Sequence, residues 1–187
     1  MVVEDIFSQL IAHATEGLMT HTQIAEYFDF LGLKGYAKCH TYHYFAESVN
    51  YKCLCEYYIK HYNKLPVELK VSNPKVIPEN WFKYSRKDVD SSTRKNAISA
   101  GFDKWVTWEK TTKKLYEQMY QELIAINEIA AALEIKYYIN DVSEELAKAE
   151  QKMLELKAID YNISDIIMEQ EHLYKKYTKK LREIEIC

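Results

Sequence analysis

The three prolines of this chain, Pro66, Pro74 and Pro78, crowd into one short window, and no proline precedes Pro66 or follows Pro78. Proline costs about 3 kcal/mol in a helix interior, so the zones on either side are free to form unbroken helix. The first zone uses that freedom: Phe7, Leu10, Ala14, Gly17, His21, Ile24 and Phe28 recur at helical spacing, which predicts a helix over about 6–30. Gly32-Leu33-Lys34-Gly35 then supplies two residues able to take left-handed angles, a connection short enough to send a second helix, about 35–62, back antiparallel. The stretch 63–96 holds the prolines and a polar run from Ser85 to Asn96, and reads as a long crossover. A second hairpin follows, with helices over about 97–124 and 128–158 around Ala125-Ile126-Asn127. After a break near Asp160-Tyr161-Asn162, Ser164 is a good N-cap for a last amphipathic helix over about 164–186, with Ile163, Ile166, Leu173, Tyr177, Leu181 and Ile184 on one stripe. The expected fold is all-α: a single domain over 1–187, a four-helix bundle of two hairpins joined by a crossover, plus an extra C-terminal helix.

Composition narrows the function classes. Lys and Arg number 25 against 28 Asp and Glu, a net charge of −3, and no basic N-terminal arm is present, so nucleic acid and anionic membranes are not expected partners. No apolar run approaches the roughly 18 residues of a membrane span, and the residues after Met1 form no basic leader. Cys39, Cys53, Cys55 and Cys187 make no CxxC pair, which fits a reducing, cytoplasmic setting; Cys53 and Cys55 read as packing residues. The 16 tyrosines read as packing groups with a polar tip. Lys175, Lys176, Lys179, Lys180 and Arg182 read as a solvated helix end that complements the dipole.

A polar seam runs through these apolar helices. In steps of four and three, the second helix reads Tyr36, His40, His43, Glu47, Asn50, Leu54, Tyr57, and its flanks are aromatic rather than wet. The third reads Ile98, Phe102, Trp105, Glu109, Thr112, Tyr116, Met119, Leu123, so Glu109 interrupts a core seam. His21 interrupts the first helix in the same way. On the fourth, Asp141 and Glu144 point outward and Glu145 sits on the shoulder of the apolar stripe. His21 and Glu47 are equally far from Lys34, and Glu109 and Glu145 from Asn127, so all four are expected at mid-bundle. An isolated buried carboxylate costs several kcal/mol, and carboxylates converging with imidazoles suit Fe, Mn or Zn. The candidate metal ligands are therefore Glu47, Glu109, His21, His43 and Glu145, with Asn50, Thr112 and Tyr116 behind them. His40 lies nearer the turn, while His13, His61 and His172 read as helix-surface residues. The alternative is a metal-free hydrogen-bonded cluster of the same groups. No catalytic residue is assigned.

Tyr27-Phe28-Asp29, Gly35-Tyr36-Ala37-Lys38, Glu47, Tyr58-Ile59 and Trp108-Glu109-Lys110 share their order and spacing with the ferritin-like superfamily, apart from a first loop about two residues shorter, and the chain resembles that superfamily over roughly residues 7–150. The resemblance implies that Glu47 matches the bridging glutamate and Glu109 the glutamate of the third helix. It also implies what is missing: Ala14 stands where the family has a first-helix glutamate, Asn50 where it has a histidine, and Val142 near its fourth-helix ligand. His21 falls where ferritins often carry a tyrosine, Glu145 near an accessory iron ligand of bacterial ferritins, and Glu16 faces away from Ala14's side. By resemblance the cofactor is iron, with manganese or zinc as other fits, and Fe(II) oxidation by oxygen is the most that is implied by way of an enzyme. The other implied outcome is no cofactor at all, a bundle that kept the fold as an interaction or assembly protein. A homo-oligomer is expected, a dimer first, with Trp81 and Phe82 available to seal it. The long C-terminal helix is unlike the short last helix of a ferritin shell.

Overall fold

In the computed structural model, the residues described are 2–66, 75, 77 and 85–184. Five helices account for nearly all of them: α1 Val3–Phe30, α2 Lys34–Tyr62, α3 Ser91–Ala125, α4 Ile129–Ala158 and α5 Ile163–Arg182. The fold is the expected four-helix bundle with an added C-terminal helix, and no strand occurs among the described residues. Trp81 and Phe82 lie outside the described residues. No described helix is long and apolar enough to cross a membrane.

Three helices end in the same way. Gly32 (φ 81°), Asn127 (φ 63°) and Asp160 (φ 51°) take left-handed angles, and the next N–H in each case reaches back to the last turn: Leu33 to Phe28 O at 2.8 Å, Glu128 to Leu123 O at 2.9 Å, Tyr161 to Leu156 O at 2.9 Å. These bonds satisfy carbonyls that a helix end leaves bare. α3 starts at Ser91 rather than near Ala97 because the Asp90 carboxylate accepts the Thr93 N–H at 2.7 Å and caps it. Arg86 then donates to the carbonyls of Asp29 (2.8 Å) and Phe30 (3.1 Å), tying the end of the crossover to the first hairpin.

The interior is divided. One apolar cluster gathers Ile24, Phe28, Tyr36, Ile98, Phe102 and Leu156 at the Gly32 end, and another gathers Ile6, Phe7, Leu10, Leu54, Met119 and Ile135 at the opposite end. Between them lies the polar belt described below. Cys39 and Cys55 are free thiols.

α5 returns alongside α2 and runs in the same direction, since Gln170 meets Gly35 and Tyr177 meets Tyr42. Its docking answers a need of α2, whose N-cap is Leu33 and carries no side-chain cap. Gln170 Oε1 accepts the Gly35 N–H at 2.7 Å and the Tyr36 N–H at 3.1 Å, while Glu169 accepts from Tyr36 OH at 2.8 Å and pairs with Lys152 of α4. Gln170→Ala strips two buried N–H groups of their acceptor. It should cost about 1–3 kcal/mol in urea unfolding, against a change within about 0.5 kcal/mol for the exposed neighbour Glu171→Ala.

Candidate functional site

The polar belt is built from all four helices of the bundle. The hairpin pivots on Gly32 rather than Lys34, which shifts its register by one turn from the expectation. Glu47 therefore faces Gly17, not His21: a Cβ on residue 17 would stand 2.8 Å from Glu47 Cδ and oblige that carboxylate to shift. His21 instead faces His40 and His43, with ring centroids 5.4 and 5.1 Å away, and Trp105 of α3 lies edge-on to His40 at 4.7 Å.

Hydrogen bonds fix this layer. His21 Nδ1 and His40 Nδ1 are 3.1 Å apart, a pair in which one ring must donate and the other accept. Trp105 Nε1–H donates to Glu109 Oε1 at 2.9 Å, and His21 Nε2 lies 3.9 Å from the same oxygen. Donation from His40 places the His21 proton on Nε2, toward Glu109, and leaves His40 Nε2 a bare lone pair; that atom is buried with no partner. Asn50 donates to Glu47 Oε2 at 3.3 Å, and His43 Nε2 is 3.6 Å from Glu145 Oε2, whose other oxygen accepts from Lys148 at 2.8 Å.

These groups surround a cavity of about 30 Å3, lined by His21, His43, Ala46, Glu47, Asn50, Glu109, Thr112, Tyr116, Tyr138, Asp141, Val142 and Glu145. That is room for one water molecule or one ion. Its wall carries four carboxyl groups and no lysine or arginine. Tyr116 OH and His43 Nε2 are buried there without a hydrogen-bond partner, an uncommon and costly condition. Burial, abetted by the Asp141 charge, pushes the Glu47 carboxyl up to about 7. Burial and then the Glu47 charge hold Glu109 well above the ordinary carboxyl range. Burial keeps His21 and His40 neutral far below the usual imidazole range and lowers His43 as well.

All five expected ligands, His21, His43, Glu47, Glu109 and Glu145, thus line one cavity together with Asn50, Thr112 and Tyr116. They do not converge on a point: among the described residues, no three His, Cys, Asp or Glu side chains are placed to hold a metal ion. Glu47 and Glu145 must turn to do so, and the contacts that hold them, Asn50 at 3.3 Å and the partly exposed Lys148, are weak.

Other residues fall differently from expectation. His13 is buried rather than on the surface, stacked on Trp108 at 4.5 Å with Nε2 bonded to Thr112 Oγ1 at 2.8 Å, and burial lowers it to about 4. His61 lies against Tyr57 on the outside, His172 is exposed, and Glu16 stands 4.0 Å from His13, outside the cavity wall. Asp141 and Tyr138 join the wall unforeseen; the one available signal was that Asp141 precedes Glu145 by a single helical turn. Ala14 is packed in the apolar cluster at the far end of the bundle, and Val142 lines the cavity without a donor atom.

No protein-family profile and no curated protein sequence matches the chain. Solved structures do. A humanized archaeal ferritin superposes with a TM-score of 0.75 at 15% identity, covering 91% of this chain and 94% of its own. The Archaeoglobus fulgidus ferritin engineered into a closed form gives 0.74 at 16% identity, covering 93% and 96%. The open-pore ferritin of Archaeoglobus fulgidus gives 0.73 at 17%, covering 91% and 93%. The chain has the ferritin-like fold.

Proposed function

We propose that this chain binds a single divalent transition metal, iron first, in the central cavity, with Glu47 and Glu109 as carboxylate ligands and His21, His43 and Glu145 completing the set. One observation carries the reading: a cavity of ionic size with four carboxyl groups, no cationic side chain and two unpartnered polar atoms in its wall. Oxygen and imidazole donors suit Fe, Mn and Zn alike. The residues fit one ion and not two, because Ala14, Asn50 and Val142 provide no ligands for the second metal of a dinuclear centre. When bound, the ion supplies the positive charge that allows Glu47 and Glu109 to ionise together. In its absence Trp105 and Asn50 hold the two carboxyls, and His21 Nε2 lies 3.9 Å from Glu109. Binding is the proposed activity, and Fe(II) oxidation is to be assayed only after it. Self-association belongs to the same reading, with a dimer expected from light scattering.

The second reading, a bundle that holds its polar core without metal, draws on those same bonds from Trp105 and Asn50 and on the lack of a ready-made ligand group. Elemental analysis of untagged protein purified without chelator separates the two. About one Fe, Mn or Zn per chain, absent from the Glu47→Ala, Glu109→Ala double variant, supports the metal site; no metal after anaerobic Fe(II) loading leaves the structural bundle.

A further inference from the structure

The wall between the cavity and the outside is a single side chain thick at one place. Ala46 and Asn50 line the cavity on one side and, on the other, an outer groove of about 410 Å3 completed by Tyr42, Val49, Lys180, Glu183 and Ile184. Elsewhere the cavity is shut in. His21, Glu109, Thr112 and Tyr116 close it toward α1 and α3, each no more than 5% exposed, and the two apolar clusters close it above and below. Only toward the seam between α2 and α4 do its lining residues meet solvent: Ala46, Asn50 and Glu145 are partly exposed and Asp141 is exposed.

The groove exists because α5 lies along α2 and ends there. Tyr177 packs on Tyr42 with centroids 5.6 Å apart, and Lys180 Nζ sits 4.7 Å above the Tyr42 ring. Lys180 lines the groove together with Ala46 and Asn50, and on α4 Lys148 donates to Glu145 at 2.8 Å. On the other side of Ala46, Asp141 and Glu145 of α4 line the cavity itself. A cation passing Ala46 therefore leaves a groove in which Lys180 repels it and Glu183 attracts it for a cavity walled by four carboxyl groups.

We infer that a divalent cation reaches the cavity sideways, through the α2–α4 seam at Ala46, and that Lys180 sets how fast it enters, which makes α5 an access-control element. This rests on the metal reading above. The small Ala46 side chain is the door panel, and α5 carries the charge beside it.

Stopped-flow mixing of the metal-free full-length protein with Co2+ reads the route through tryptophan quenching, since Trp105 lies beside His40 and His43. Ala46→Phe should slow loading by about tenfold or more. Lys180→Glu should speed it about threefold in about 0.1 M salt, where fields reach about 10 Å, and lose the gain at about 1 M. Lys175→Glu makes the same charge change on the exposed face and should leave the rate alone. Wild-type rates in both Ala46→Phe and Lys180→Glu, with Co2+ still bound, overturn the route; because Lys180 is at the surface, a folding defect in Ala46→Phe does not blunt the test. If Co2+ does not bind to any of the proteins, the metal reading fails on its own, and the route is read without metal by diethyl pyrocarbonate: His43 should be modified before His21 and His40, and Ala46→Phe should protect it. Equal modification of His43 in wild type and Ala46→Phe overturns the route in that case.

Discussion

Glu47→Gln should stabilise the metal-free protein by about 3 kcal/mol above about pH 8, with no gain near pH 4. The carboxyl titrates near 4.5 when exposed and at about 7 in the folded chain, so between those values the folded state holds a proton that the unfolded state has lost. Stability conferred by that proton is complete below about 4.5 and is lost as pH rises through about 7, a difference worth about 3 kcal/mol. The amide removes the charge and keeps the shape, so the loss disappears. For a chain of this size the gain is a rise in melting temperature of roughly 6–12 °C. The buried histidines give the opposite limb: unfolded imidazoles protonate below about 6.5 while burial lowers His13 to about 4 and holds His21 and His40 well below the usual imidazole range, so stability falls on acidification in both proteins. Melting curves in chelator across pH 4–9 check this; parallel profiles for the two proteins would show that burial of Glu47 imposes no such cost. With a divalent ion present the order reverses, because Glu47→Gln forfeits the ligand.

Phe28→Ala should cost about 3–5 kcal/mol. The ring is fully buried and packs at 5.5 Å from Tyr36, 5.3 Å from Phe102 and 5.5 Å from His40. It joins α1 to α2 and α3 and forms the floor of the histidine layer. Urea unfolding measures the loss, with Ile59→Ala at an exposed position as a control near zero. The variant also opens space beside His40, so the His40 imidazole should titrate closer to its ordinary range when followed by NMR. A loss below about 1 kcal/mol would mean that the site collapses around the missing ring.

Much of the architecture could be read before any coordinates. Confined prolines and 3.6-residue periodicity gave five helices in the right order, and Glu47, Glu109, His21, His43 and Glu145 were marked by being polar on apolar stripes. What escaped has two causes, local cap and turn geometry and contacts between residues far apart in sequence. The Asp90 cap and the Gly32 pivot each moved an element or a register by about a turn, enough to place Glu47 against Gly17 instead of His21. His13 looked like a surface residue because its partners, Trp108 and Thr112, sit on another helix. Gln170 gave no local sign that it caps α2 across 135 residues of chain. Asp141 looked solvated from its own helix and proves to border the cavity only once α2 and α4 are side by side.

Calorimetric titration of the metal-free protein with Fe(II) under anaerobic conditions at about pH 6.5, repeated in buffers of different ionisation enthalpy, tests the metal cavity most directly. With Glu47 pushed up to about 7 and Glu109 held well above the ordinary carboxyl range, a single-metal cavity predicts one ion per chain and the release of protons as each ion binds. Absence of binding, or binding that releases no protons and persists in the Glu47→Ala, Glu109→Ala variant, would contradict it.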